Sequence, residues 1–252
     1  PKTPLAIDDH GYPLSERITV SFGALAESVD VITFENSSQI YKDFVTAFGN
    51  KYRYGAFTAG WARDTRDSLI VTTDGLLTRF TTEFAGGDLQ FYRLGVNQQV
   101  YWPLNRNLTL LLNADLGYAS GSGGKPLPFF KNYYAGGPGT VRGYRDFSLG
   151  PRDSIGNSLG GTRRVVGNIE LLFPMPGAAQ DKSLRLGWFV DGGQVYGADE
   201  PVDLSEMRYA TGIALAWASP LGPLRLSYAW ALNERTGFDH LQRLQLKFGT
   251  AF

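Results

Sequence analysis

The sequence contains no cysteine and only two histidines, His10 and His240. Disulfides and thiolate metal sites are therefore excluded, and little remains for a histidine-based metal centre or a catalytic triad. An excess of charge of either sign is also missing, because 24 basic residues balance 24 acidic ones. A nucleic-acid-binding domain is normally basic, so we predict no nucleic acid among the partners. We also predict no metal and no cofactor.

Long apolar runs are missing as well. No segment approaches the roughly 20 apolar residues that a membrane-spanning helix requires, and the opening stretch PKTPLAIDDHG lacks the regions of a secretory signal. The mean hydropathy is slightly negative, as in many soluble proteins. A membrane barrel is still compatible with that value, because only alternate residues of its strands meet lipid. We expect the chain to be a fragment or a processed product.

Alternation of apolar and polar residues, in segments of about ten, is the dominant pattern of the sequence. In LTLLLNADLGY the even-numbered positions from Leu108 to Tyr118 are apolar, whereas Thr109, Asn113 and Asp115 are polar. This pattern predicts about ten antiparallel strands. The alternation is clear over 17–26, 108–118, 183–193, 208–217, 223–230 and 244–252, and weaker near 52–63, 76–85, 90–103 and 163–173.

The composition of the two strand faces separates a membrane barrel from a soluble sandwich. The apolar face is rich in Leu, Trp, Tyr and Phe, with rings such as Trp102, Trp217 and Trp230 near strand ends. Such rings suit a bilayer interface, whereas the outer face of a sandwich is solvated. We predict an all-β, antiparallel transmembrane β-barrel in a lipid bilayer. Residues 1–252 are predicted to form a single unit of this barrel.

One long connection carries a helical pattern. The stretch SSQIYKDFVTAFGNKY predicts a short surface helix that Ser38 caps and Gly49 ends, with Ile40, Phe44 and Phe48 on one face. An irregular loop is the alternative.

The segment YAGGPGTVRGYRDFSLGP, residues 134–151, is rich in glycine and carries Arg142. A phosphate-binding loop is disfavoured because the Lys-Ser/Thr ending and a βαβ context are missing. A flexible surface loop is one alternative, and a loop folded into the barrel lumen is the other. The alternation places Glu170 and Asp191 on the inward face of two neighbouring strands, where an arginine could form several charge-assisted hydrogen bonds with them.

This segment resembles the signature loop of the BamA-type outer-membrane assembly factors, whose Val-Arg-Gly-Phe/Tyr tetrad is matched by Val141, Arg142, Gly143 and Tyr144. The similarity continues through GNIELLFPMPG and LRLGWFVDGGQVYG to the terminal LQLKFGTAF. In that family the loop enters the lumen and its arginine meets one acidic residue on each of the next two strands. The resemblance assigns those two acidic positions to Glu170 and Asp191.

The resemblance also implies a barrel of about sixteen strands preceded by periplasmic domains. The chain would be the C-terminal portion of that barrel, without the periplasmic domains and the first strands. The implied function is insertion and folding of unfolded β-barrel proteins in the bacterial outer membrane, together with accessory assembly lipoproteins. It implies neither an enzyme nor a cofactor.

By the same resemblance, the terminal strand is expected to form one side of a lateral seam and to end in a sorting signal. A strand edge that opens there exposes backbone groups to an incoming strand, and glycine permits a kink. Because the family's first strand is absent, we expect this edge to pair with the strand over 17–31 or with a second copy of the chain. The residues predicted for this role are Leu244, Leu246, Phe248, Gly249 and Phe252.

Other functions remain open at this level. A hydrolase is one alternative, with His240 beside Asp239 or carboxylates such as Asp64, Asp67 and Asp74 as its catalytic residues, although solvated turns explain these residues more simply. A two-partner secretion or translocation-assembly transporter shares the tetrad, and a passive pore shares the barrel. The lumenal loop predicts that loss of Arg142 impairs the barrel, whereas loss of a surface residue such as Arg152 has little effect.

Overall fold

The computed structural model describes residues 5–35, 37–177, 183–220 and 222–249. Eleven strands form one sheet in chain order, and every strand is antiparallel to its neighbours. The prediction of an all-β, antiparallel fold is therefore confirmed. The sheet strands are β1 (Leu5–Ser15), β2 (Ile18–Asp30), β3 (Lys51–Asp64), β4 (Gly75–Gly87), β5 (Phe91–Asn105), β6 (Leu108–Gly121), β8 (Arg163–Pro174), β9 (Leu184–Tyr196), β10 (Arg208–Ser219), β11 (Gly222–Ala231) and β13 (Leu244–Phe248).

Two short strands, β7 (Gly143–Tyr144) and β12 (Leu241–Gln242), pair with each other outside this sheet. The sequence predicted about ten strands and missed β1. Strand β1 was missed because the run DDHG interrupts its alternation of apolar and polar residues. The pairing of β1 with β2 contains two register shifts.

The sheet is not closed in the described part of the chain. Strand β13 pairs with β11, and no pairing joins it to β1. The expectation that the last strand pairs with the strand over 17–31 is wrong, because both edges of β2 are occupied by β1 and β3.

The register places one apolar face outward along the whole sheet. Ile169 lies opposite Val190, and Trp188 lies opposite Ile213. Ile169, Trp188 and Ile213 are 51%, 51% and 55% exposed, which fits side chains that meet lipid rather than a packed interior. The residues between them point to the concave face, where the buried side chains lie.

The connections at the two ends of the sheet differ. At one end β1–β2, β5–β6 and β10–β11 are joined by two residues each, whereas the longer segments 31–50, 122–162 and 232–240 emerge at the other end. The connections 65–74 between β3 and β4 and 175–183 between β8 and β9 also belong to the first end but are longer. Arg185 Nη1 on β9 donates to the Thr72 carbonyl of the β3–β4 connection at 2.6 Å, so the β3–β4 connection reaches across the concave face.

The predicted helix is present as α1, Gln39–Phe48, and ends at Gly49 with φ 86°. Ser38 precedes it but makes no capping hydrogen bond through its side chain. Phe44 packs edge-on against Phe129, with ring centroids 5.6 Å apart, whereas Ile40 remains 53% exposed. Among the described residues, no helix is long and apolar enough to cross a membrane.

The long connection 122–162 lies on the concave face. Lys131 Nζ reaches Glu83 on β4 at 2.8 Å, while Gly143 approaches Ala229 on β11. Because one connection contacts strands so far apart in the sheet, the sheet must curve around it. This curvature brings the glycine-rich segment to the site described next.

Candidate functional site: the buried glycine-rich loop

The glycine-rich segment is a packed core element and not a flexible surface loop. Val141 and Tyr144 are 0% exposed and Leu149 is 1% exposed. These side chains form one apolar cluster with Val166 of β8 and Val195 of β9. Burial of each large apolar side chain contributes about 1.5–3 kcal/mol, so the loop is held first by packing.

Glycine is required where this loop meets the wall. Gly143 has φ 89°, a left-handed backbone conformation that favours glycine. A Cβ atom there would lie 3.0 Å from the Ala229 Cβ atom. The backbone therefore turns close to β11, and β7 is positioned to pair with β12.

Arg142 is the centre of the charged part of the site. Its Nε atom donates to Asp191 Oδ2 at 2.7 Å, its Nη2 atom donates to Asp191 Oδ1 at 2.7 Å, and its Nη1 atom donates to Glu170 Oε2 at 2.8 Å. The backbone amide of Arg142 also donates to Asp191 Oδ2, at 3.0 Å. The guanidinium carbon lies 3.4 Å from the centroid of the Phe189 ring. This planar fork uses the bidentate geometry that arginine has and lysine lacks.

All three charged side chains are buried, with exposures of 4% for Arg142, 1% for Glu170 and 0% for Asp191. Burial opposes the charged guanidinium, but Glu170 and Asp191 outweigh it and raise the pKa of Arg142 above its ordinary value. The arginine is therefore a permanent cation at the tip of the loop. Loss of either partner would leave a charge buried without compensation.

The two carboxylates lie on neighbouring strands but not directly opposite each other. Asn168 is opposite Asp191, and Glu170 is opposite Phe189. The arginine thus spans a diagonal across β8 and β9. Gly187 makes room for Glu170, because a Cβ atom at Gly187 would lie 2.2 Å from Glu170 Oε1.

A second arginine, which the sequence reasoning missed, also binds Glu170. Arg225 of β11 donates through Nη2 to the Glu170 carboxylate. The alternation of the strand could have indicated Arg225, because Leu224 and Leu226 face outward and the residue between them must face inward. Glu170 is therefore shared between an arginine of the loop and an arginine of the wall.

A chain of amide side chains also fixes the loop. Asn97 of β5 donates to Asn113 of β6 at 3.0 Å, and Asn113 donates to Asn168 of β8 at 2.8 Å. Asn168 in turn donates to the Thr140 carbonyl at 2.6 Å. The loop is thereby connected to three consecutive strands on the side away from the terminal strand.

Gln245 connects the loop to the terminal strand, and the sequence reasoning missed it too. Its Oε1 atom accepts a hydrogen bond from the Gly143 amide at 3.2 Å, and its Nε2 atom donates to the Tyr144 carbonyl at 2.7 Å. Gln245 is 3% exposed. One side chain thus satisfies two buried backbone groups of the tetrad.

We expect Gln245→Leu to loosen the loop, because it removes the acceptor of the Gly143 amide and one donor to the Tyr144 carbonyl, which then keeps the Gly137 amide. Each buried orphan group costs about 1–3 kcal/mol. Limited proteolysis of the folded protein should then cut within 134–151 faster than in the wild type. Gln242→Leu is the matched control, because Gln242 is exposed on β12. Equal protection of the two variants would contradict the role of Gln245.

The predicted seam residues lie on the edge strand β13. Leu244, Leu246 and Phe248 are 59%, 65% and 59% exposed and face outward, and Gly249 follows with φ 82°. Phe252 lies outside the described residues. The Ala229 amide donates to the Arg243 carbonyl, and the Gly249 amide donates to the Pro223 carbonyl.

Odd-numbered residues of this strand therefore bond to β11. Because antiparallel ladders alternate, the amides and carbonyls of Leu244, Leu246 and Phe248 point to the free edge. The seam strand thus presents a row of backbone groups with outward apolar side chains beside them.

The other candidates from the sequence have structural partners. Asp239 pairs with Arg208 at 2.7 Å, so it does not orient His240. Asp64 pairs with Arg66 at 2.7 Å, and Asp67 accepts the backbone amides of residues 73 and 74. Within the described ranges, no group of three or more acidic or histidine side chains has an arrangement that could hold a metal ion.

Arg152 is not the simple surface residue that the sequence suggested. Its guanidinium donates to the Ser148 and Gly156 carbonyls at 2.7 and 2.9 Å and lies 4.8 Å from the Phe238 ring centroid. It helps to close the loop on itself. Arg106, which is exposed in the β5–β6 turn, is the better reference for an arginine without a structural role.

Comparison with known proteins gives a consistent result. The model of the Omp85 superfamily domain matches residues 9–252. The outer membrane protein assembly factor BamA of Neisseria meningitidis is 37% identical over 279 residues, which cover 95% of this chain and 35% of that protein. The sorting assembly machinery 50 kDa subunit of Saccharomyces cerevisiae is 26% identical over 200 residues, which cover 75% of this chain and 41% of that protein.

A solved structure shows the same fold. The crystal structure of BamA from Haemophilus ducreyi lacking POTRA domains 1-3 matches with a TM-score of 0.82 and 24% identity, over 96% of this chain and 53% of that one. The chain spans 35% and 41% of the length of the two curated relatives.

Proposed function

The chain belongs to the Omp85 superfamily, and from this membership we propose that it is part of an assembly factor for outer-membrane β-barrel proteins. It is a protein of the bacterial outer membrane. We assign residues 1–252 to the C-terminal portion of a larger transmembrane barrel. This assignment rests on the tetrad Val141–Tyr144 and on the share of the relatives that the chain covers.

The proposed substrates are unfolded outer-membrane β-barrel proteins, which the factor folds into the lipid bilayer. Accessory assembly lipoproteins are expected partners by resemblance to the BamA-type members. The proposed role is not enzymatic and requires no cofactor, because backbone pairing and burial of apolar side chains in lipid supply the free energy.

The edge of β13 supports a templating mechanism. The backbone groups of Leu244, Leu246 and Phe248 point away from β11, and an incoming strand can satisfy them by β-augmentation. The same three side chains are more than half exposed on the outer face. An incoming strand with matching alternation would place its own apolar side chains in lipid beside them.

The observation that carries this proposal is the connection between the anchored loop and the seam strand. Arg142 fixes the loop to β8 and β9, and Gln245 fixes the same loop to β13. The seam strand is therefore held in register from inside, while no strand in the described part of the chain pairs with its outer edge. We propose that Val141, Arg142, Gly143, Tyr144, Glu170 and Asp191 form this loop anchor.

The test removes one backbone donor from the edge. Leu246→Pro deletes an amide that points to the free edge, and proline is tolerated at such positions. We expect the full-length protein with this change, reconstituted in vesicles, to fold an unfolded barrel substrate about tenfold more slowly, as for loss of one good hydrogen bond.

Leu246→Ala is the control, because it shortens the side chain and keeps the amide. Equal rates for the two variants would contradict templating at this edge. A two-partner secretion or translocation-assembly transporter, or a passive pore, predicts no acceleration of substrate folding in either case, and a pore predicts vesicle conductance instead.

A further inference from the structure

A row of cations crosses the concave face and ends at the free edge of β13. Arg185 on β9 lies opposite Ala216 on β10, and Ala216 lies opposite Arg225 on β11. Arg225 in turn lies opposite Lys247 on β13. Since directly opposite residues share a face, Arg185, Arg225 and Lys247 all point inward along one line, which we call the cationic row.

Like charges directly opposite each other destabilise a strand pair, so the pair of Arg225 and Lys247 needs compensation. Arg225 obtains it from Glu170, but Glu170 also accepts from Arg142. Arg185 donates to a neutral carbonyl, that of Thr72. In the described part of the chain, Lys247 has no ion-pair or hydrogen-bond partner.

The local charges do not balance. Around a cavity of about 120 Å³, Arg142, Arg225 and Lys247 face the single carboxylate of Glu170, and Asp191 is fully engaged by Arg142. Three positive charges thus stand against two negative ones, and the unmatched positive charge is the one nearest the free edge. A half-buried cation with polar space beside it favours an anionic partner.

The position of that anionic partner follows from the hydrogen-bonding pattern at the free edge of β13. Leu246 and Phe248 direct their backbone groups to the free edge, so they would form the hydrogen-bonded pairs of a new ladder. Lys247 lies between them and would form a non-hydrogen-bonded pair, in which opposite side chains approach most closely. The residue opposite Lys247 on any added strand would also point to the lumen.

Building on the proposed function, we propose that Lys247 selects strands that carry a carboxylate opposite it. The preferred substrate strand has Asp or Glu at this inward position and apolar residues at the adjacent outward positions, which meet lipid beside Leu246 and Phe248. Arg225 and Arg185 add to the positive potential that a carboxylate meets as it enters the lumen. Selection by one register position would also disfavour pairing that is shifted by one residue, because such a shift turns every side chain to the other face.

The test measures cross-linking of a substrate strand to the seam. A single cysteine replaces Leu246 in the full-length protein, and a cysteine scan of the terminal strand of a barrel substrate identifies the register; the chain itself supplies no competing thiol. The substrate residue that then faces Lys247 is set to Glu, Gln or Lys. We expect the Glu substrate to cross-link about fivefold more than the Lys substrate, with a smaller difference at high ionic strength.

Substitutions in the cationic row identify the side chain that is responsible for the preference for Glu substrates. Lys247→Gln should abolish the preference, and Lys247→Glu should reverse it. Arg79→Glu makes the same charge change at an inward-facing position of β4, far along the sheet, and should leave the preference intact. Retention of the preference in Lys247→Gln would overturn the inference.

Two further outcomes separate the inference from the proposed function. If substrates fold normally but Glu and Lys strands cross-link equally, the charge selection is wrong and the assembly function stands. If neither folding nor cross-linking occurs with any substrate, the proposed function fails and the inference fails with it. A preference that follows the phosphatidylglycerol content of the vesicles instead of the substrate residue assigns the row to lipid phosphate and overturns the inference.

Discussion

Arg142→Ala is expected to lower the free energy of unfolding of the barrel by about 3–5 kcal/mol, the cost of breaking a buried ion pair from one side. The change leaves Asp191 and Glu170 buried. Asp191, which is 0% exposed, loses the hydrogen bonds from Nε and Nη2 of Arg142 and keeps only the one from the backbone amide of residue 142. Arg225 still serves Glu170, so Asp191 is the residue left without compensation. Arg142→Ala also removes the guanidinium that lies over the Phe189 ring.

Thermal unfolding in detergent or vesicles, followed by heat-modifiable electrophoretic mobility, measures this loss. Arg106→Ala is the control, because Arg106 is an exposed arginine of a turn and should change stability by less than about 0.5 kcal/mol. If Arg142→Ala and Arg106→Ala unfold at the same temperature, the buried charged cluster does not hold the loop. The paired replacement of Arg142 and Asp191 by apolar residues should be milder than Arg142→Ala alone, because no isolated charge remains.

Tyr144→Ala is expected to cost about 3–5 kcal/mol, as for other large-to-small changes of aromatic residues in a core. The Tyr144 ring is 0% exposed and packs in the cluster that contains Val141 and Leu149. Its removal leaves a cavity between the loop and the wall, and the loop cannot collapse into it because Gly143 and Arg142 are fixed on the other side.

Tyr144→Phe separates packing from hydrogen bonding. The hydroxyl donates only to the Tyr209 carbonyl, at a long distance of 3.3 Å, so its loss should cost no more than about 0.5–1.5 kcal/mol. Chemical denaturation of both variants gives the comparison. A Phe variant as unstable as the Ala variant would show that the hydroxyl, and not the ring, fixes the loop.

The strand alternation gave the fold class and the outward face, because a period of two is a local property of the backbone. It failed for β1, where DDHG breaks the pattern and pairing with β2 tolerates register shifts. The same alternation put Glu170 and Asp191 inward but could not give their diagonal offset, which depends on the register between β8 and β9.

The contacts that join distant parts of the chain were not predictable in this way. Gln245 binds the tetrad across about a hundred residues of sequence, and only the curvature of the sheet brings the two together. Arg225 was visible as an inward residue, yet its choice of Glu170 depends on the loop being in place. Arg152 looked like a solvated charge, because its partners are carbonyls, which leave no signature in the sequence.

The β3–β4 connection, which reaches Arg185 through the Thr72 carbonyl, has a consequence for permeability. Together with the glycine-rich loop it occupies part of the concave space, where Val71 and Thr72 line a small cavity with Tyr101 and Leu111. Under the proposed function, these two connections would limit the axial passage of ions and metabolites through the barrel while an edge strand opens towards the bilayer. Insertion of a substrate into the membrane would then not require an open pore across it.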